Sequence, residues 1–169
     1  MLRFIHDAFN FCTGENHPAM IAPIQDVNGM VIAAHCTFLD PTTGNKLQGD
    51  GVKSRLIFGA CRGGAIRLSP LQNKVILCEG IEDGLAILQS NGEACVWVSY
   101  GTGGMQTLQL PNSVSELVIA IDNDLNGAGE RAANILAAQL KKEGRVARIA
   151  TPAPHKDFNE MLVKGLSHV

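Results

Sequence analysis

From about residue 74 onward the chain repeats one unit: a short apolar run, a polar or glycine junction, then a stretch with helical spacing. The runs are VILC (75–78), CVWV (95–98), LVIAI (117–121) and VARIA (146–150). Near-continuous runs rich in β-branched residues suit parallel strands covered on both faces, and the segments between them are long enough for right-handed helical crossovers. A compact α/β sandwich is predicted for this half. The best-defined helix follows LVIAI, with Glu130 in its first turn, Lys141 and Lys142 in its last, and Gly144 as a stop. Its apolar stripe is Ala132, Ile135, Leu136 and Leu140. A shorter helix is predicted over 81–90, with Glu82 and Asp83 at its positive end and Asn91-Gly92 closing it.

The first seventy or so residues follow a different period. PIQDVNGMVIAAHCTFLD reads as strand, turn at 26–29, strand, with Asn28-Gly29 as the hairpin signal. A looser stretch, DPTTGNKLQGDGVKS, leads to RLIFGACRGGAIRL, two short strands around a glycine turn. The expected organisation is a small antiparallel β-rich subdomain over residues 1–73, joined through SPLQNK to the α/β unit over 74–169.

Composition narrows the choices. With 169 residues, 46% of them apolar, the chain is long enough to build a sizeable core. Fourteen basic against sixteen acidic residues give a formal charge of −2, so no global positive field advertises nucleic acid. A polyanion would have to be held by a local patch or a metal. Five scattered cysteines without a CxxC pair argue against a zinc ribbon, and their odd number against a disulfide framework. With no signal peptide and no apolar run near eighteen residues, a cytoplasmic protein without a membrane partner is expected.

The candidate chemistry lies where the apolar runs stop. Residues two apart in an extended strand point the same way, so Asp122 and Asp124 can aim at one point above the carboxyl edge of the sheet. VILC ends directly in a further acid, Glu79. If the two strands are neighbours, the three carboxylates converge and their repulsion raises one or more pKa values unless a cation compensates. A hard ion such as Mg²⁺ or Mn²⁺ is the simplest compensation. Helix capping by Asp124 or Asn126 is the alternative for the aspartates, although capping calls for neither Asp122 nor Glu79.

These residues also carry a resemblance. EGIEDGLAIL (79–88) followed by IDNDLNGAGERAA (121–133) resembles the Toprim domain shared by bacterial primases, topoisomerases and certain nucleases. That domain carries a Glu after its first strand and an Asp-x-Asp after its third, on a four-stranded parallel sheet flanked by helices. HKDFNEML (155–162) is similar to the segment after the fourth strand of primase-type Toprim domains, where Asp157 would lie near the metal. Asp157 and Glu160 also fit a capping box, and the two roles are compatible. The region before residue 74 is similar to what precedes Toprim in phage- and plasmid-type primases and primase-helicases.

The resemblance implies a metal-dependent DNA primase-like nucleotidyltransferase that makes short RNA primers during replication. Glu79, Asp122 and Asp124 would be catalytic and metal-binding, with Asp157 as a further metal neighbour. Lys53, Arg55, Arg62 and Arg67 are candidate phosphate contacts, each of which could equally lie on a solvated strand face. Expected partners are a single-stranded DNA template, nucleoside triphosphates, and a replicative helicase or zinc-binding module on another chain. A Toprim nuclease and a non-catalytic nucleic-acid-binding module are the rivals. A topoisomerase reading is poor, because the only tyrosine, Tyr100, would have to sit on the Toprim sheet itself. SYGTGGMQ (99–106) reads as a glycine-permitted tight turn, and His35 and His155 as ordinary polar residues lacking a second ligand at metal spacing.

Overall fold

A computed structural model describes residues 2–124 and 127–165. Thirteen elements follow in chain order: β1 (Arg3–Asn10), β2 (Glu15–Gln25), β3 (Val31–Phe38), β4 (Arg55–Gly59), β5 (Ala65–Arg67), β6 (Lys74–Cys78), α1 (Ile81–Ser90), β7 (Val96–Val98), α2 (Thr102–Thr107), β8 (Glu116–Ala120), α3 (Ala128–Lys142), β9 (Val146–Ala150) and α4 (Phe158–Val163).

The four apolar runs are the four parallel strands, in the spatial order β7-β6-β8-β9. Their side chains alternate between two cores, as the period of two requires. Val75 and Leu77 of β6 and Leu117 and Ile119 of β8 pack with α2 and the buried face of α3; Ile76, Cys78, Val96, Val98 and Ala120 pack beneath α1 and Phe158 of α4. Burial on both faces explains why the runs of β6, β7 and β8 show little polar alternation, whereas β9, at the sheet edge, is exposed at Val146, Arg148 and Ile149. Of the predicted α3 stripe Ala132, Leu136 and Leu140 are buried and Ile135 is 52% exposed, while Ala133 and Ala137 are buried in addition. Small Ala133 and Ala137 let the helix sit close to the sheet and turn Ile135 outward.

The antiparallel strands do not form a separate layer. They extend the same nine-stranded sheet in the order β4-β3-β2-β5-β7, with β1 pairing on the free half of β2. The predicted hairpin is present as β2 and β3, its turn held by Asp26 Oδ1 accepting from the N–H groups of Asn28 and Met30, both at 2.9 Å. The two short strands of RLIFGACRGGAIRL exist but do not pair with each other. Instead β4 pairs with β3, and β5 lies between β2 and β7. Three-residue β5 is therefore the hydrogen-bonded link between the antiparallel and parallel halves.

Three further features differ from the sequence pattern. Strand β1 and the first residues of β2 carried no signal, because β1 is exposed at nearly every position and its apolar residues do not alternate. The turn at Tyr100 (φ 50°) and Gly101 (φ 124°) leads into the short helix α2 rather than straight to the next strand. All five cysteines are free thiols, with Cys36, Cys78 and Cys95 buried. Among the described residues no helix is long and apolar enough to cross a membrane.

Candidate active site

Strands β6 and β8 are adjacent and parallel, with Leu77 opposite Ile119, so their carboxyl ends deliver Glu79 and Asp122 to the same edge. The elements around this edge lie close to the acids. Glu79 Oε2 lies 3.8 Å from where a Cβ at Gly129 would stand, which places this carboxylate beside the first turn of α3. The DxD segment is fixed from the other side, since the Asn123 N–H donates to the Lys156 carbonyl at 2.7 Å and brings Asp157 toward Asp122. Asp157 caps α4 by accepting from the Glu160 N–H at 2.7 Å. Glu160 in turn accepts from the Lys156 N–H at 2.8 Å, a capping box displaced by one residue.

The N-cap of α3 is Gly127, in the left-handed region at φ 64°. The Asp124 backbone carbonyl lies 3.3 Å from the Gly127 N–H. The alternative cap, Asn126, lies outside the described residues, as does Leu125.

Repulsion and burial act together on these groups. Burial first, then Asp83, Glu79, Asp124 and Asp157, push the Asp122 carboxyl up to about 7. Glu79 is raised by burial and by Asp124, partly offset by Arg55. Asp83, only 7% exposed in the first turn of α1, is raised by burial although it accepts from the Asn159 N–H at 3.2 Å. Among the described residues no three His, Cys, Asp or Glu side chains are gathered closely enough to cage an ion. The acids instead face two clefts that share Asp122. One, of about 330 Å³, includes Asp122, Asp124, Gly129 and Glu130; the other, of about 300 Å³, is lined by Glu79, Asp83, Asp122 and Asp157 together with Lys46, Arg55 and Lys156.

That second cleft brings acids and cations together. Lys46, in the loop between β3 and β4, reaches α1 and pairs with Glu82 at 2.6 Å. Of the four predicted basic contacts only Arg55 lines this cleft. Lys53 and Arg62 are exposed and line neither cleft. Arg67 is engaged elsewhere: its guanidinium lies 4.3 Å above the Trp97 ring and donates to the Asp26 carbonyl at 2.5 Å. The divergence follows from strand pairing, because β4 and β5 belong to different neighbours. Tyr100 donates its hydroxyl to the Cys61 carbonyl at 2.6 Å, and burial raises its pKa further. His155 stays outside both clefts.

Sequence reasoning missed Asp83, Lys46, Lys156 and Glu130 as members of this edge. Asp83 had a signal, since it lies one helical turn beyond Glu79 on the face of α1 that returns to the sheet. It read as a dipole-complementing acid because nothing local shows that α1 buries it.

A parallel sheet with its acids at the carboxyl edge, flanked by helices on both faces and extended by an antiparallel β region, defines an α/β protein of the Toprim type. A family profile described as Toprim domain matches residues 74–168, more than half of the sequence, and the chain belongs to that family. Residues 1–68 match a profile described as a domain of unknown function. Comparison with curated proteins gives no significant match.

Among solved structures, the primase fragment of the bacteriophage T7 primase-helicase is similar over 89% of this chain and 60% of its own length, at 19% identity and a TM-score of 0.64. The Escherichia coli primase catalytic core is similar over 97% of this chain and 53% of its own, at 20% identity and a TM-score of 0.58. A chain from the T7 complex of lagging-strand DNA polymerase with two primase domains, bound to an RNA/DNA hybrid and dTTP, matches 88% of this chain and 72% of its own at a TM-score of 0.61 and 18% identity. The fold is therefore that of primase catalytic cores, of which this chain spans between about half and three quarters.

Proposed function

We propose that this protein is a Toprim-domain nucleotidyltransferase that synthesises short RNA primers on single-stranded DNA in the presence of Mg²⁺ or Mn²⁺. The observation that carries the reading is the single cleft in which Glu79, Asp83, Asp122 and Asp157 face Lys46, Arg55 and Lys156. Oxygen donors beside Lys46, Arg55 and Lys156, the cleft's cationic wall, match a ligand that is itself a polyanion with a bound metal.

Glu79, Asp122 and Asp124 would hold the divalent ion, with Asp157 close by. Their fit is supported by the donor set, all carboxylate oxygen, and by the cost of the site without a cation, visible in the raised Asp122. The ion, when bound, would neutralise developing charge on the transferred phosphoryl group and its attacking hydroxyl. Arg55 and Lys46 would orient the nucleotide's phosphates, the guanidinium through a two-pronged contact and the ammonium as a point charge. Burial of the strand ends beneath α1 and α3 would limit water at the reacting centre. The T7 primase domains bound to an RNA/DNA hybrid and dTTP support template and nucleotide as the ligands here. On this reading the protein works in the cytoplasm at a phage or plasmid replication fork, beside a helicase and a zinc-binding module on another chain.

Labelled nucleoside triphosphates, a single-stranded template and Mg²⁺ test the proposal. New oligonucleotides are expected. Shortened template would instead make the protein a nuclease using the same acids, and binding without turnover would make it an accessory module. Asp122→Asn and Asp124→Asn are each expected to abolish product while the chain stays folded by circular dichroism; an active double variant would sink the assignment.

A further inference from the structure

Behind the cationic wall lies a histidine whose position the proposed reaction has not used. His35 sits in the middle of β3, 5% exposed, and its ring Nδ1 is buried without a hydrogen-bond partner among the described residues. An orphaned buried polar atom is costly and calls for a reason. Thr37, two residues on and 3% exposed, lies on the same face of the strand. Sheet register puts Arg55 directly opposite Thr37 and Ile57 directly opposite His35, so the imidazole and the stem of Arg55 share one face of the β3–β4 pair.

That face closes over a chamber of about 10 Å³ lined by His35, Thr37, Arg55, Glu79, Glu82 and Tyr100 among others. Its size is at the lower limit for one water. Arg55 and Glu79 line both this chamber and the larger cleft, so the chamber is the cleft's inner wall. Burial and Arg55 both hold the imidazole below its ordinary pKa, so the ring is neutral near pH 7 and offers an acceptor to a guanidinium that has only donors. No ion pair restrains Arg55 among the described residues.

We propose that His35 is a positioning residue for Arg55: its Nδ1 accepts a hydrogen bond from the one water the chamber admits, which in turn accepts from the guanidinium and sets Arg55 for phosphate binding. The inference rests on the phosphate-binding reading of the cationic wall given above. It assigns to the antiparallel half a part in the chemistry at the Toprim edge.

The test is a double-mutant cycle read by calorimetric titration of the full chain with inorganic triphosphate and Mg²⁺, alongside thermal melting. His35→Leu is expected to weaken binding about tenfold, the scale of a lost hydrogen bond to a charged group, without lowering the melting temperature. Arg55→Met weakens it at least as much, and His35→Leu/Arg55→Met is expected to be no weaker than Arg55→Met alone, because positioning acts only through the residue positioned. Asparagine puts a polar atom near the place of Nδ1 and glutamine near that of Nε2. His35→Asn is therefore expected to keep most of the affinity and His35→Gln to lose it, a comparison that stays readable should the leucine variant not fold. Additive losses, or wild-type affinity in both His35→Leu and His35→Gln, overturn the role of His35 alone. A wild-type chain that does not bind triphosphate overturns the cationic-wall reading and this inference with it.

Discussion

Asp122 is the carboxylate on which burial and like charges converge, and its titration has a consequence for stability. The unfolded chain gives up this proton near the ordinary 3.8, whereas the folded, metal-free chain keeps it until about 7. The folded state binds more protons over that window, so Asp122 makes the protein less stable as pH rises from 4 to 7. Asp122→Asn removes this dependence. Its melting temperature is expected to match wild type near pH 4 and to exceed it at pH 8 without metal, while added Mg²⁺ raises only the wild type. A wild-type excess at pH 8 without metal would contradict the assigned direction. The end of an apolar run was enough to put Glu79 and Asp122 at one edge of the sheet, but β8 stops at Ala120, so the period of two does not reach the aspartates and Asp124 lines only the first cleft. The position of Arg67 was not legible from sequence, since its place over Trp97 depends on which strand β5 joins.

At the level of elements, α1 shows how packing overrides propensity. Gly84 costs about 1 kcal/mol in a helix interior relative to alanine, yet it sits where α1 meets the sheet. A Cβ there would approach Leu68 Cδ1 to 2.6 Å, Val98 Cγ2 to 3.0 Å and Cys78 Sγ to 3.1 Å. Close approach of the helix backbone is what brings Asp83 over the acidic edge. Gly84→Ala is therefore expected to destabilise the fold by about 1–3 kcal/mol in urea unfolding despite its better helix propensity. It should weaken metal binding as well, because α1 must lift. The existence and ends of α1 and α3 were readable from acidic first turns and glycine stops. The small residues that fix how near they lie gave no directional signal, as Ile135 shows.

Across the whole molecule the residues before and after position 73 are joined in one sheet. Hydrogen bonding passes from β2 through β5 to β7, Arg67 bridges the 26–27 turn and Trp97, and Lys46 reaches across to Glu82. A fragment starting at Lys74 would lose β5 and expose the edge of β7, whose VWV residues are all buried in the intact chain. Such a fragment is expected to self-associate by strand pairing, seen as dimers or larger species on size-exclusion chromatography. A monomeric, folded fragment would show that residues 74–165 close their own edge.

The amino-acid sequence by itself determined the parallel βα units, the antiparallel hairpin and the acids at the strand ends, because each depends on spacing over a few residues. Tertiary structure alone decided that nine strands share one sheet, that Arg55 rather than Lys53, Arg62 or Arg67 meets the acids, and that Lys46, Asp83 and Lys156 join them. Strand partners are chosen over tens of residues by burial and hydrogen bonding together, and no local period records that choice.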